Sequence, residues 1–353
     1  MSMRSKLLMM IILMLVFSCT NKKDGYTPPS FPVEKNIEAV LLSDDLLMNY
    51  AYGMCIDNKF VYVLALSDGH WIQVYDKHNG DFVGSYIQQG QGPEELVMGI
   101  CMTIDHNNST LSVYDERQQK LLVYSIDNSG NAPILSLVDS KYFTQYVGVV
   151  RNAWKLKNDN YLIDGQLGGI STKQKRFQLL VAEEVVDSFN LFPVIGFEME
   201  AAFISPKVTL SPSREKMASG ILFGAILETF SLIDQSIKLT DMQKFYPPKM
   251  KMMDGGVRPD ADMVYGFASL CSTEDNIYAI WVGDKNPNAL NSITVFDWSG
   301  TEIARYQTNH LVFMIAIDEN EPEKLYALVY DEEKGFSLVY FLIEDKLYDC
   351  RKA

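Results

Sequence analysis

Residues 90–96 read Gly-Gln-Gly-Pro-Glu-Glu-Leu, and three short apolar runs follow: Ile100 to Asp105, Leu111-Ser112-Val113-Tyr114-Asp115 and Leu121-Leu122-Val123-Tyr124. Each run is too short for a stable helix and is rich in β-branched and aromatic residues. Asp, Asn and Gln clusters separate them, so the stretch reads as an antiparallel meander entered through a Gly/Pro loop. A lone meander leaves both sheet faces uncovered, so the chain must supply something to pack against it.

It supplies copies. One unit runs from Gly53-Met54-Cys55-Ile56 through Phe60–Leu64 to Ile72–Asp76 and Gly80–Tyr86. Further units hold Trp154-Lys155-Leu156, Tyr161–Asp164 and Phe177–Val181; then Thr209-Leu210-Ser211, Lys216–Gly220 and Thr229–Asp234. The last two carry Ala268–Cys271, Asn276–Trp281 and Ile293–Asp297, then Phe313–Asp318, Lys324–Val329 and Ser337–Phe341. Taking Tyr75, Tyr124, Val181, Ile233, Phe296 and Tyr340 as matching positions, the spacings are 49, 57, 52, 63 and 44 residues. Repeats of about 40–50 residues built from short strands are the signature of propeller blades, here with somewhat long loops. The expected fold is all-β: a six-bladed β-propeller of four-stranded antiparallel blades in one domain. Ile37–Leu42 precedes the first unit and is expected to give the last blade its outermost strand, closing the ring.

The N-terminus carries an address. Arg4 and Lys6 precede the apolar run Leu7 to Phe17, which fits a secretory signal and is too short to span a bilayer. Val16-Phe17-Ser18-Cys19 resembles a bacterial lipobox, in which the cysteine is acylated and becomes the mature N-terminus. The expected organisation is a leader over residues 1–18, a lipidated cysteine and flexible tether over 19–34, and the propeller over 35–350. The membrane would be met through the lipid alone. Surface-exported lipoproteins of the Bacteroidetes often carry an acidic cluster behind the cysteine. Lys22-Lys23-Asp24 is a poor match, which favours the periplasmic side of the outer membrane over the cell surface.

The Gly92-Pro93-Glu94-Glu95-Leu96 loop and the three runs behind it resemble an NHL-type blade. With the lipobox and the six units, the whole mature chain resembles the TolB-like six-bladed β-propeller lipoproteins of Bacteroidetes. In these a GxGPxE loop sits between the first two blades. The resemblance implies a fold and a cell-envelope location, and leaves the biochemical activity undefined.

Charge narrows the partners. Without the leader the chain has 29 basic and 45 acidic residues, a net charge of −16. No long basic run appears, so nucleic acid is not an expected partner, nor is an anionic membrane approached by charge. Cys55, Cys101, Cys271 and Cys350 are widely spaced and form no CxxC pair. They read as small buried side chains, with no metal site or cofactor expected.

Ligands generally meet a propeller at one mouth of the central channel, where the loops entering each inner strand converge. In those loops the polar and aromatic candidates are Glu94, Glu95, Arg151, Arg214, Arg258, Tyr265 and His310. Carboxylates, guanidinium groups and a phenol suit a sugar, a peptide or a partner loop. The two glutamates have a competing role, capping backbone amides of the Gly-Pro turn. His78 and His106 sit in Asp/Asn turns and read as solvated, and no nucleophile elbow, HExxH, P-loop or EF-hand spacing occurs. The expectation is a monomeric, non-catalytic binding module for an envelope protein, peptide or glycan. The alternative is a channel-centred hydrolase or lyase acting on a sugar-derived substrate.

Overall fold

The computed structural model describes residues 25–144, 148–166, 175–194, 196, 206–254 and 256–343. The chain is a six-bladed β-propeller of four-stranded antiparallel sheets. Blade one is built from Gly53–Ile56, Phe60–Ser67, His70–Asp76 and Phe82–Gln88, and blade two from Gly99–Asp105, Thr110–Asp115, Lys120–Asp127 and Ile134–Tyr142. Blade three uses Val149–Lys155, Tyr161–Gln166, Phe177–Val181 and Glu184–Phe189; blade four uses Lys207–Leu210, Lys216–Gly220, Ala225–Ser231 and Lys238–Tyr246. Blade five holds Phe267–Ser272, Asn276–Trp281, Ser292–Asp297 and Glu302–Gln307. Blade six takes Leu311–Ile317, Lys324–Asp331 and Gly335–Leu342 and borrows Ala39–Leu46 as its outermost strand, so a strand from the N-terminal side closes the ring.

The apolar runs are continuous because each central strand buries both faces. In Phe60–Ser67, Phe60, Tyr62 and Leu64 pack towards blade two, and Val61, Val63 and Ala65 pack towards blade six. In Asn276–Trp281, Tyr278 and Ile280 face blade six while Ile277, Ala279 and Trp281 face blade four. The two-residue period of a strand delivers alternate side chains to the two seams. The core is accordingly six interblade clusters around the ring.

Aspartates end many of these strands for a local reason. Asp76 Oδ1 accepts the amides of His78 and Asn79, Asp105 those of Asn107 and Asn108, and Asp297 those of Ser299 and Thr301. The carboxylate replaces the hydrogen bonds that the turn takes from the ladder. His78 and His106 are exposed on such turns.

Three features differ from the sequence reading. The ordered chain reaches back before residue 35: Val33–Asn36 adds a fifth, parallel strand to blade five, Phe31 is buried, and the Thr27 amide donates to the Lys244 carbonyl. Polar Glu34 and Lys35 suit an edge strand with one exposed side. In blade four the third strand is Ala225–Ser231, so Phe230 is the buried residue while Ile233 lies beyond the strand and is 46% exposed. Finally, the connection from blade four to blade five contains a hairpin, Met250–Met253 with Gly256–Pro259. Cys19, the leader and Cys350 lie outside the described residues.

Candidate functional site

The six inner strands surround a central channel, and their leading ends enclose a cavity of about 310 Å³. Most of its wall is apolar or small: Met54, Met102, Ala268, Leu270, Met314 and Ile315. Into this wall the inner strands of blades three and four bring Arg151 with Asn152, and Lys207; Glu116 and Asp164 are its carboxylates.

Arg151 is held by Asp164, with Nη2 donating to Oδ1 at 2.5 Å. Asp164 comes from the neighbouring strand, where it pairs with Asn152 in the ladder. Its carboxyl is almost fully enclosed, and loss of hydration raises its pKa despite the attraction of Arg151 and Arg176. The Nε of Arg151 is buried and has no hydrogen-bond partner among the described residues. Lys207 opens the inner strand of blade four and projects into the channel space, exposed to solvent there yet ringed by protein. Reduced hydration lowers its pKa, against a weaker opposing pull from the Cys101 thiol. Among the described residues no carboxylate forms an ion pair with Lys207. Among the described residues the mouth thus offers one ammonium outside any ion pair and one guanidinium with a spare donor, and Glu116 and Asp164 are the carboxylates that share its wall.

Of the sequence candidates, Arg151 alone lines this cavity. Arg214 follows the inner strand of blade four and sits at the opposite end of the channel, where Nε lies 3.3 Å from Asp105 Oδ2 and Nη1 donates to the Lys155 carbonyl. Burial lowers its pKa, and it ties blades two, three and four together. Placing it at the mouth took its loop as the entry to the strand, whereas the strand Lys207–Leu210 comes first. Arg258 is exposed on the inserted hairpin. Tyr265 is half-buried beside Phe223, with ring centroids 6.1 Å apart, and its amide donates to the Asp284 carbonyl. His310 is half-buried in the turn before blade six, its amide donating to Thr308 Oγ1.

Glu94 is exposed, and its carbonyl accepts the Tyr124 hydroxyl at 3.1 Å. Glu95 turns back on its own loop: Oε2 accepts the Gly92 amide at 2.7 Å. A Cβ on Gly90 would stand 2.0 Å from that carboxylate oxygen, so a side chain there would displace the cap. Lys120 Nζ donates to the Gly92 and Pro93 carbonyls from behind. The Gly-Pro-Glu loop is therefore a self-capped turn. Glu95→Ala is expected to lower stability by about 1–2 kcal/mol, since it strands a partly buried amide. Urea denaturation reads this, and an unchanged midpoint would show that water replaces the carboxylate.

Sequence reasoning missed Lys207, Glu116, Asn152 and Asp164. The available signal was a cation at the head of an otherwise apolar inner strand, where blades one, two, five and six begin with Gly53, Gly99, Phe267 and Leu311. Cys55, Cys101 and Cys271 all lie on inner strands as free thiols, and burial pushes each pKa up, that of Cys101 to about 12. They behave as small wall residues. No three His, Cys, Asp or Glu side chains converge as a metal site among the described residues.

A family model described as a six-bladed β-propeller, DUF5128, matches residues 42–312. No curated protein sequence matches. Among solved structures, a Bacteroides fragilis protein described as a candidate exported protein superposes with TM-score 0.54 at 14% identity, covering 89% of this chain and 99% of its own. A DUF4221 member from Bacteroides vulgatus gives 0.50 at 12%, covering 88% and 98%. A gluconolactonase from Xanthomonas campestris gives 0.50 at 10%, covering 87% and 90%. At these identities the likeness is one of fold.

Proposed function

The chain belongs to the DUF5128 family of six-bladed β-propellers, and from that premise we propose a lipid-anchored binding module of the cell envelope. Its anchor is Cys19, its fold is of the TolB-like and NHL-like kind, and it faces the periplasm from the outer membrane. It works without catalysis, taking at the channel mouth a peptide, glycan or protein loop that presents a carboxylate or similar oxyanion.

The observation that carries this reading is Lys207, a cation without a carboxylate partner among the described residues, in a cavity of about 310 Å³ that Arg151 with its spare Nε donor also lines. A buried donor left without a partner, as Arg151 Nε is, costs stability, and the solvent-exposed ammonium of Lys207 is free to pair with a ligand oxyanion. The channel-centred hydrolase or lyase gains no comparable support. It needs a converging ligand set or a carboxylate pair, and Asp164 is engaged by Arg151.

The test is an array of acidic and neutral oligosaccharides and peptides probed with the purified protein. Acidic members should bind, and Lys207→Gln should weaken them about tenfold, or ~1.4 kcal/mol, the size of one charge-assisted hydrogen bond. Because the Lys207 pKa is lowered, binding should fade as pH climbs towards, but before reaching, the ordinary lysine range. Equal capture of neutral members, or no capture at all, defeats the proposal.

A further inference from the structure

Among the described residues the hairpin inserted between blades four and five is the one strand pair outside the blades, and its strand Met250–Met253 ends in bare apolar surface. Met252 is 53% and Met253 46% exposed; Arg258 is an exposed cation, as is Lys251, which lies 3.7 Å from the equally open Asp260, and Asp254 is exposed just beyond Met253. Nothing among the blades requires this surface. Its location does carry information. Met250, at the base of the hairpin, packs in the same peripheral apolar cluster as Tyr26. Tyr26 is held there by Lys244, whose ammonium lies 5.7 Å from its ring centre, and by the Thr27 amide on the Lys244 carbonyl. The chain therefore leaves the propeller towards its N-terminus beside this hairpin.

Cys19 lies seven residues before Tyr26. Fully extended, that length reaches at most about 25 Å. An acylated Cys19 in the bilayer keeps Tyr26, and so the hairpin, within that distance of the headgroups. We propose that the hairpin is a second membrane contact, laying Met252 and Met253 into the lipid headgroup layer while Lys251 and Arg258 meet phosphates. This rests on the lipid-anchored reading above. Two methionines and two cations bind a bilayer weakly when free in solution, but a covalent anchor makes the second contact intramolecular. The unbranched thioether chain adapts to a fluid surface. The contact fixes the orientation of the propeller, and with it the direction in which the channel mouth opens, because the hairpin lies in one of the connections that lead from an outer strand into the next inner strand.

The experiment uses the full chain, expressed with its leader and reconstituted in vesicles of phosphatidylethanolamine and phosphatidylglycerol. Met253→Cys carries an environment-sensitive NBD label, and Asn79→Cys, on an exposed turn at the other end of blade one, carries it in a control. Cys350→Ser is present throughout, and the Cys350→Ser chain with no added cysteine reads background labelling of the channel-wall thiols of Cys55, Cys101 and Cys271. Mass analysis of the N-terminal peptide reads acylation of Cys19 separately. At position 253 the emission should shift to the blue and be quenched by doxyl-labelled lipid, with no change at position 79. An acylated chain whose position 253 stays unquenched overturns the hairpin contact and leaves the anchor standing; that is also the result expected if the hairpin instead meets a protein. An unacylated Cys19 overturns both. Quenching that persists in the acylated Met252→Asp variant labelled at 253 would show mere proximity, and overturns the apolar contact.

Discussion

Lys77→Met is expected to cost about 3–5 kcal/mol of unfolding free energy, the usual penalty for removing one partner of a buried ion pair. Lys77 is 2% exposed and follows the third strand of blade one. Its Nζ lies 2.6 Å from Asp318 Oδ2 and 3.2 Å from Glu321 Oε1, across the seam where the first and last blades meet. Asp318 directly follows the inner strand of blade six, is 1% exposed, and uses its other oxygen to cap Asn320. Methionine matches the length of the lysine stem, so packing is nearly kept and the loss is electrostatic. Asp318 would remain as a buried carboxylate without its cation. The companion Asp318→Asn keeps the cap and removes the charge, so the double variant Lys77→Met/Asp318→Asn should recover much of the loss. Urea titrations of all four proteins give the coupling. A single Lys77→Met variant within about 1 kcal/mol of the parent would mean that strand exchange at Ala39–Leu46 alone secures the ring.

How much of this was legible beforehand follows from the range of the interactions. Blade one could be read almost residue by residue, because Gly80 and the Asp76 cap mark its turns and Phe60–Leu64 has nothing but apolar side chains. The cap made by Glu95 was foreseeable for the same reason, since donor and acceptor are three residues apart. Blade four was misread by several residues. Leu232 and Ile233 continue the apolar pattern past the end of the strand, and Ala225 at its start is a weak signal behind Gly224, which approaches Pro248 too closely for a side chain. The mouth was the least legible part. Lys207 and Arg151 become neighbours of one cavity only when six strands separated by some fifty residues each are closed into a ring. Arg214, by contrast, was misplaced through an error of order: a loop before a strand and a turn after it lie at opposite ends of the channel.

Arg176→Met should be as damaging as the loss of Lys77, again about 3–5 kcal/mol, with a pH dependence to which the channel mouth contributes. Arg176 is 2% exposed and grips Glu228, which is fully buried, through two parallel bonds, Nη1 to Oε1 at 2.8 Å and Nη2 to Oε2 at 2.5 Å. The pair joins blade three to blade four, and the guanidinium also donates to the Leu191 carbonyl and lies over the rings of Phe177, Phe189 and Phe192. Arg176→Lys should lose most of the same energy, because an ammonium cannot reproduce the planar, two-pronged grip. One contribution to the pH dependence arises at the mouth. Asp164 has a folded pKa above its ordinary value, held down in part by the charges of Arg151 and Arg176. A raised carboxyl pKa means the folded state binds the proton more tightly than the unfolded chain. Its stabilising share is therefore complete in acid and is lost as pH rises through the folded pKa. Without Arg176 that pKa climbs further, so the deficit of the variant should be larger at neutral pH than in mild acid, as urea midpoints at several pH values would read directly. In the Glu228→Gln background, where the seam keeps no carboxylate facing Arg176, an equal deficit of Arg176→Met at every pH would mean that Arg176 has no electrostatic hold on the channel mouth.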